Sequence, residues 1–207
     1  MAIPRLRPGT HPAILSYGFR PFFLLGSIYG GLTVLFWLPV LSGRLETASL
    51  FLPVDWHAHE LLFGYLAAIV AGFLLTAIPN WTGRLPVQGR PLGLLVLLWL
   101  AGRLAVFFSA GIGWLPAMAI DCGFLLAVAV AAAVEIVAGH NWRNLKVLAP
   151  VTVLLVANLL FHVEARFWGV ADVGRRLGIA AAIVLIMIIG GRIIPSFTRN
   201  WLARENP

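Results

Sequence analysis

The stretch Trp56-His57-Ala58-His59-Glu60 sets two imidazoles and a carboxylate at the head of a run, 61–78, that is almost wholly apolar. A second set, Asn158, His162 and Arg166, recurs every fourth residue within another apolar run. That spacing puts all three on one face of a helix. Ionisable groups in so apolar a setting are expensive and need a partner or a purpose. Neutral imidazoles are common ligands of haem iron and of copper. His57, His59 and His162, with Glu60, are therefore the candidate metal ligands. Arg166, one turn from His162, suits a carboxylate such as a haem propionate, so His57, His59, His162 and Arg166 are the cofactor-binding candidates. The spacing identifies no catalytic residue.

One helix cannot aim both His57 and His59 at one ion, because two residues of α-helix rotate by about 200°. His57 shares its face with Glu60 and, further on, with Gly64, Ala68 and Ala71. This small-residue stripe admits a flat group or another helix at close range. A plainer explanation also stands: helix packing beneath water-facing histidines at a membrane surface.

Other charges have simpler expectations. Arg103 and Asp121 lie at similar distances on either side of the turn Gly111–Trp114, so an antiparallel helix hairpin brings them to one depth as an ion pair. Glu135 is within reach of Arg143 or Lys146, and Glu164 points off the Asn158 face. The segment His59-Glu60-Leu61-Leu62-Phe63 lacks the second histidine of a zinc-protease helix. No Gly-rich phosphate loop and no serine elbow occur. Cys122, the only cysteine, allows no internal disulfide and reads as a small buried hydrophobe.

These groups must be held by helices. The chain of 207 residues is 60% hydrophobic and 11% charged, with a mean hydropathy of +0.93. Soluble domains are far less apolar, so lipid is the expected solvent. The net charge of +7 comes from arginines scattered singly between apolar runs, which excludes a nucleic-acid face. Six runs of about 20 residues fall near 19–40, 57–78, 92–112, 115–138, 147–170 and 176–194. Backbone satisfaction in lipid makes them helices. The expected fold class is an all-α polytopic bundle forming one domain over 1–207. Pro21 suits a first helical turn, and Pro79 and Pro195 should close spans two and six. Ile78-Pro-Asn-Trp-Thr and Ile194-Pro-Ser-Phe-Thr echo one another, by chance or through duplication of a helix pair.

Four segments carry a resemblance: YGFRPFFLLG (Tyr17–Gly26), WHAHELLFGY (Trp56–Tyr65), AGFLLTAIPNWTGR (Ala71–Arg84) and GGRIIPSFTRN (Gly190–Asn200). Together they resemble the NnrS family. The resemblance implies a multi-pass protein of the bacterial inner membrane, containing haem and copper and linked to denitrification and nitric-oxide tolerance. It also implies that relatives are about twice this length. This chain is then a truncated gene, a short form that makes a homodimer, or a half whose second half-protein is encoded elsewhere. Beside this function in the nitric-oxide response stand two others. One is a small transporter or channel with Asn158, His162, Arg166, Glu60 and Arg103 lining a polar path. The other is an assembly subunit without cofactor.

Charge sets the expected orientation. Arg5, Arg7, Arg20, Arg84, Arg90, Arg143, Lys146, Arg192, Arg199 and Arg204 fall on one side, against Arg44, Arg166, Arg175 and Arg176 on the other. The positive-inside rule puts both termini in the cytoplasm. Reporter fusions after Pro207 and near Arg44 should report opposite sides, with Pro207 inside. A Pro207 fusion reporting outside would reverse the orientation.

Overall fold

The structure, a computed structural model, describes residues 11–205; Arg5, Arg7 and Pro207 lie outside the described residues. Six helices are long and apolar enough to cross a membrane, and no strand occurs among the described residues. They are α1 (Phe19–Leu41), α2 (Pro53–Thr82), α3 (Arg90–Phe107), α4 (Trp114–Ala138), α5 (Leu148–Phe167) and α6 (Asp172–Glu205). Short helical segments at Ala13–Leu15, Ser109–Ile112 and Trp142–Val147 link or flank them.

Six helices occupy the six expected spans, with ends that differ by several residues: α3 stops at Phe107, ahead of the separate turn Ser109–Ile112, and α2 and α6 run past their prolines. Pro79 and Pro195 do not close helices: α2 continues to Thr82 and α6 to Glu205. A proline removes one backbone donor, but the remaining carbonyls have no better partner in lipid than the helix itself. The true stop of α2 is Gly83, at φ 70°, a left-handed cap that glycine adopts without strain. Pro21, in contrast, stands in the first turn of α1 as expected.

Small residues set the helix spacing. A Cβ on Gly26 would meet the Ala68 Cβ at 3.2 Å, and one on Gly102 would meet the Asp121 Cα at 3.2 Å. The stripe on α2 thus packs on α1 through buried Ala68. The core beneath runs through Phe22, Phe63, Leu74, Phe124, Ile136 and Phe161, all buried. Leucines and isoleucines such as Leu35, Leu97 and Ile186 stay exposed on the outside of the bundle, as lipid contact allows.

Two ends are tied separately. At one, Gly89 N donates to Leu15 O at 2.8 Å, Arg84 Nε pairs with Glu135 Oε2 at 2.7 Å and Arg192 reaches Asn144 Oδ1 at 2.8 Å. Glu135 therefore pairs with Arg84, not with Arg143 or Lys146, because the loop after α2 lies across the end of α4. The two Ile-Pro motifs also meet here. Asn80 and Trp81 face Ser196 and Phe197 across a cavity of about 350 Å3, with Arg192 over the Trp81 ring at 5.5 Å. At the other end, Leu50 N donates to Ser109 Oγ at 2.8 Å. Asp55 accepts from Ala171 N at 3.2 Å and from Arg175 at 3.3 Å.

A close backbone approach joins α5 to α6. A Cβ on Gly174 would lie 2.6 Å from Phe161 N, whereas one on Gly191 would meet nothing within 4 Å. Gly174→Ala should cost about 1–3 kcal/mol through overpacking, and Gly191→Ala should be neutral or slightly stabilising. Thermal unfolding of both variants in detergent checks the contrast; equal midpoints would show that the α5–α6 contact is slack.

Candidate metal centre

The entry to α2 is fixed before any ligand is placed. Pro53 occupies the first helical turn, where its missing donor is harmless, and Asp55 anchors that turn to the start of α6. After His59 the helix widens into a π-helical segment, Glu60–Leu66. Such segments are rare and cluster at functional sites. Here the Gly64 carbonyl accepts from Trp99 Nε1 at 3.0 Å as well as from Ala67 N. Gly64 also makes room for a neighbour: a Cβ there would sit 2.7 Å from Arg103 Nη1 and 2.8 Å from Glu60 Oε2. That position of the small-residue stripe receives the Arg103 guanidinium, with the Tyr29 ring of α1 also close, at 3.2 Å from such a Cβ.

The two histidines of α2 part as their spacing requires. His57 is half-buried and stacks on Trp37, with ring centroids 4.2 Å apart and planes inclined by 15°. His59 turns inward and is fully buried. Glu60 also turns inward, so it does not share an environment with His57. Its Oε2 accepts from Arg103 Nη1 at 2.6 Å and from the Tyr29 hydroxyl of α1. Its Oε1 faces His59 Nδ1 at 3.4 Å.

Arg103 spans the centre. Its Nη1 holds Glu60 and its Nη2 holds Asp121 Oδ1, which is the expected ion pair extended by a second carboxylate. Asp121 Oδ2 then gathers three groups: His59 Nε2 at 3.1 Å, His162 Nε2 at 3.1 Å and Asn158 Nδ2 at 2.8 Å. Asn158 Oδ1 lies 2.9 Å from His59 Nε2. All six residues of this network, Arg103 and both histidines included, are buried. Three aromatic rings sheathe it: Phe51 lies 5.0 Å from His59 and from His162, Phe63 5.1 Å from His59, and Phe161 5.2 Å from His59.

His59, Asp121 and His162 each offer a ligand atom, all within 4.8 Å of one another. Charge points the same way. Two carboxylates against one guanidinium leave the network one positive charge short of balance in a low-dielectric interior. A proton shared by the histidines or a bound cation would supply it.

The remaining candidates are elsewhere. Arg166 is exposed, with its guanidinium over Phe167 at 5.6 Å. It lines a cavity of about 200 Å3 that also reaches His162. Glu164 caps α6 by accepting from Val173 N at 3.2 Å and Gly174 N at 2.8 Å. Asp121, Tyr29 and the π-helical segment are the parts that spacing alone missed. Asp121 already carried a signal, since its depth matched Arg103, but nothing in the spacing showed that its second oxygen would meet two histidines.

Arg103→Ala should destabilise the protein by about 3–5 kcal/mol, because it strands buried carboxylates. Adding Asp121→Asn should recover only part of this, since Glu60 stays stranded, and adding Glu60→Gln as well should recover most. Unfolding midpoints in detergent for the single, double and triple variants read the order. A double variant as stable as the triple would remove Glu60 from the network.

Comparison with known proteins places the chain. No curated protein and no solved structure matches it. The profile of the family described as NnrS protein matches residues 13–207. That match spans all six helices and every residue of the buried network, so the chain belongs to the NnrS family.

Proposed function

We propose that this NnrS-family membrane protein binds a single copper ion through His59 Nε2, His162 Nε2 and Asp121, and uses it on nitric oxide or a related small molecule in the bacterial inner membrane. The observation that carries this is the convergence on one carboxylate oxygen. Both Nε2 atoms stand 3.1 Å from Asp121 Oδ2, a separation suited to atoms that share an ion at bonds of about 2.0–2.2 Å. Glu60 supports it from behind. A carboxylate facing the far nitrogen of a ligating histidine fixes its tautomer and ring orientation, and Glu60 Oε1 faces His59 Nδ1. Glu60 and His57 then hold supporting and peripheral places, not ligand positions.

Copper, when bound, supplies a one-electron couple and an open position for a small ligand. The chain supplies the rest. Phe51, Phe63 and Phe161 keep water from the imidazoles. The cavity of about 200 Å3 beside His162 and Arg166 gives access to a molecule of a few atoms. Arg103 holds both carboxylates in place.

Haem does not fit the same place. The cavity beside His162 is smaller than the roughly 300 Å3 at which organic-ligand pockets begin. A larger one of about 580 Å3 at 85–91 has a single histidine, His11, whose Nε2 is already hydrogen-bonded to Gln88 at 3.1 Å. A haem slot would have to be completed by a second copy of the chain or a second half-protein. The transport alternative draws less support. The other buried polar residues, Ser16, Thr33, Asp55 and Ser109, stand apart from the network, and the layer of Phe22, Leu74, Phe124 and Ile136 beyond it is apolar and buried.

Metal per mole of folded protein, with the copper electron-spin spectrum, tests the assignment. His59→Ala and His162→Ala should empty the site. Glu60→Gln should weaken it by about 10–100-fold. His11→Ala, His57→Ala and His140→Ala should leave it full. A site emptied by His57→Ala but not by His59→Ala would overturn the ligand set. The metal found in the wild type decides between copper and iron, since two imidazoles with one carboxylate also suit non-haem iron.

A further inference from the structure

The cavity of about 350 Å3 where the two Ile-Pro motifs meet, between α2 and α6, takes no part in the buried network. Its lining divides into two zones. Phe73, Ala77, Ile188 and Ile189 are hydrocarbon, whereas Arg192 and Ser196 bring a cation and a hydroxyl one to two turns further along α6. Arg192 stands about 20 residues from Asp172, the first residue of α6, which is about 30 Å of helix. That length matches the hydrocarbon core of a bilayer. With Asp172 at one surface, Arg192 falls at headgroup depth on the other, and the apolar zone falls among acyl chains.

Charge at this end is unbalanced. Arg192 donates through Nη1 to Asn144 Oδ1 at 2.8 Å and covers the Trp81 ring at 5.5 Å, and neither partner neutralises it. Glu135, an acid at this end, is held by Arg84. Arg143 and Lys146 stand on either side of Asn144 in the segment Trp142–Val147, whose Val147 also lines the cavity. Among the described residues no carboxylate pairs with Arg192, Arg143 or Lys146. Three cations with only neutral partners at a membrane surface call for an anion from outside the chain.

We propose that this cavity holds an anionic phospholipid, with its phosphate on Arg192 and Ser196 and part of one acyl chain along Phe73, Ala77 and Ile189. Each zone selects one end of that molecule. The guanidinium is exposed, keeps N–H groups beyond the one given to Asn144, and suits a phosphate. The apolar zone suits a chain and offers nothing to a free inorganic anion. Arg143 and Lys146 add positive charge beside the headgroup, which favours a lipid of net negative charge over a zwitterion. A neutral lipid fills the walls but leaves the cation unmatched. A second copy of the chain fits less well, since a two-fold contact centred on this cavity sets Arg192 against its own copy. The lipid would bridge α2, α6 and the segment Trp142–Val147, and its binding does not depend on whether the buried centre holds a metal.

Native mass spectrometry of the full chain in detergent reads the bound lipid and the oligomeric state together. The probes are phosphatidylglycerol, phosphatidylcholine and diacylglycerol with the same acyl chains, and inorganic phosphate as competitor. Phosphatidylglycerol should bind one saturable site at least about fivefold more tightly than phosphatidylcholine, the worth of one charge at an anionic surface. Diacylglycerol should bind more weakly still, and phosphate at the lipid's concentration should displace nothing. Arg192→Gln should weaken phosphatidylglycerol about fivefold, whereas Arg44→Gln, the same charge change at the opposite end of the bundle, should not. Ala77→Trp, which fills the apolar zone, should abolish the site, and Val184→Trp, on the exposed face of α6, should leave it. Equal binding of the two phospholipids, displacement by phosphate alone, or equal effects of Arg192→Gln and Arg44→Gln would each overturn the proposal. So would a wild-type dimer that Ala77→Trp splits, for the cavity is then a contact between copies. Should Ala77→Trp fail to fold, the two arginine variants still decide it.

Discussion

One guanidinium in the middle of the bundle determines much of what surrounds it. Arg103 is buried among helices whose outer faces are leucine and isoleucine, where a lone cation would be expensive. It is tolerated because Glu60 of α2 and Asp121 of α4 take its two terminal nitrogens. Those bonds oblige three helices to keep one register. Gly64 on α2 and Gly102 on α3 carry no side chain at the two places where the guanidinium and Asp121 come closest.

The same ion pairs create the need for something more. Two carboxylates and one guanidinium do not sum to zero, and the excess negative charge sits where His59 and His162 meet Asp121 Oδ2. A bland account, in which a shared proton settles the charge, and a functional one, in which a metal does, place the same atoms in the same positions. The functional account gains from the shape of the site. Glu60 stands behind His59 as a ligand's orienting partner would. Phenylalanines seal the imidazoles on several sides, and the opening that remains, beside Arg166, suits a molecule of a few atoms.

The opposite flank of Arg103 faces a different solvent. The cleft beside Phe36, Trp56 and Phe107 opens to lipid, whereas the cavity beside His162 lies near the loops that link the helices. One residue thus separates a lipid-side entrance from a buried polar centre.

Much of this was legible in the residues. Apolar runs of membrane length fixed the count and kind of helices, because backbone groups in lipid have only the helix to satisfy them. The pairing of Arg103 with Asp121 followed from their equal distance to a short turn. The spacing of Asn158 and His162 gave their shared face, since both belong to one regular helix. What spacing could not give was which of His57 and His59 looks inward. A sequence fixes angles about a helix's own axis, while the rotation of that axis is set by contacts with neighbours, here Gly26 against Ala68 and Arg103 against Gly64. The π-helical segment from Glu60 to Leu66 left no periodic trace, because a run apolar on every side reads alike at any pitch. The partner of Glu135 was likewise undecidable, for Arg84, Arg143 and Lys146 all lie near one end of the bundle and only the path of the loop after α2 chose among them. Helix number, composition and depth belong to the chain itself; the meeting of His59, Asp121 and His162 belongs to how four of those helices, α2 to α5, are turned against one another.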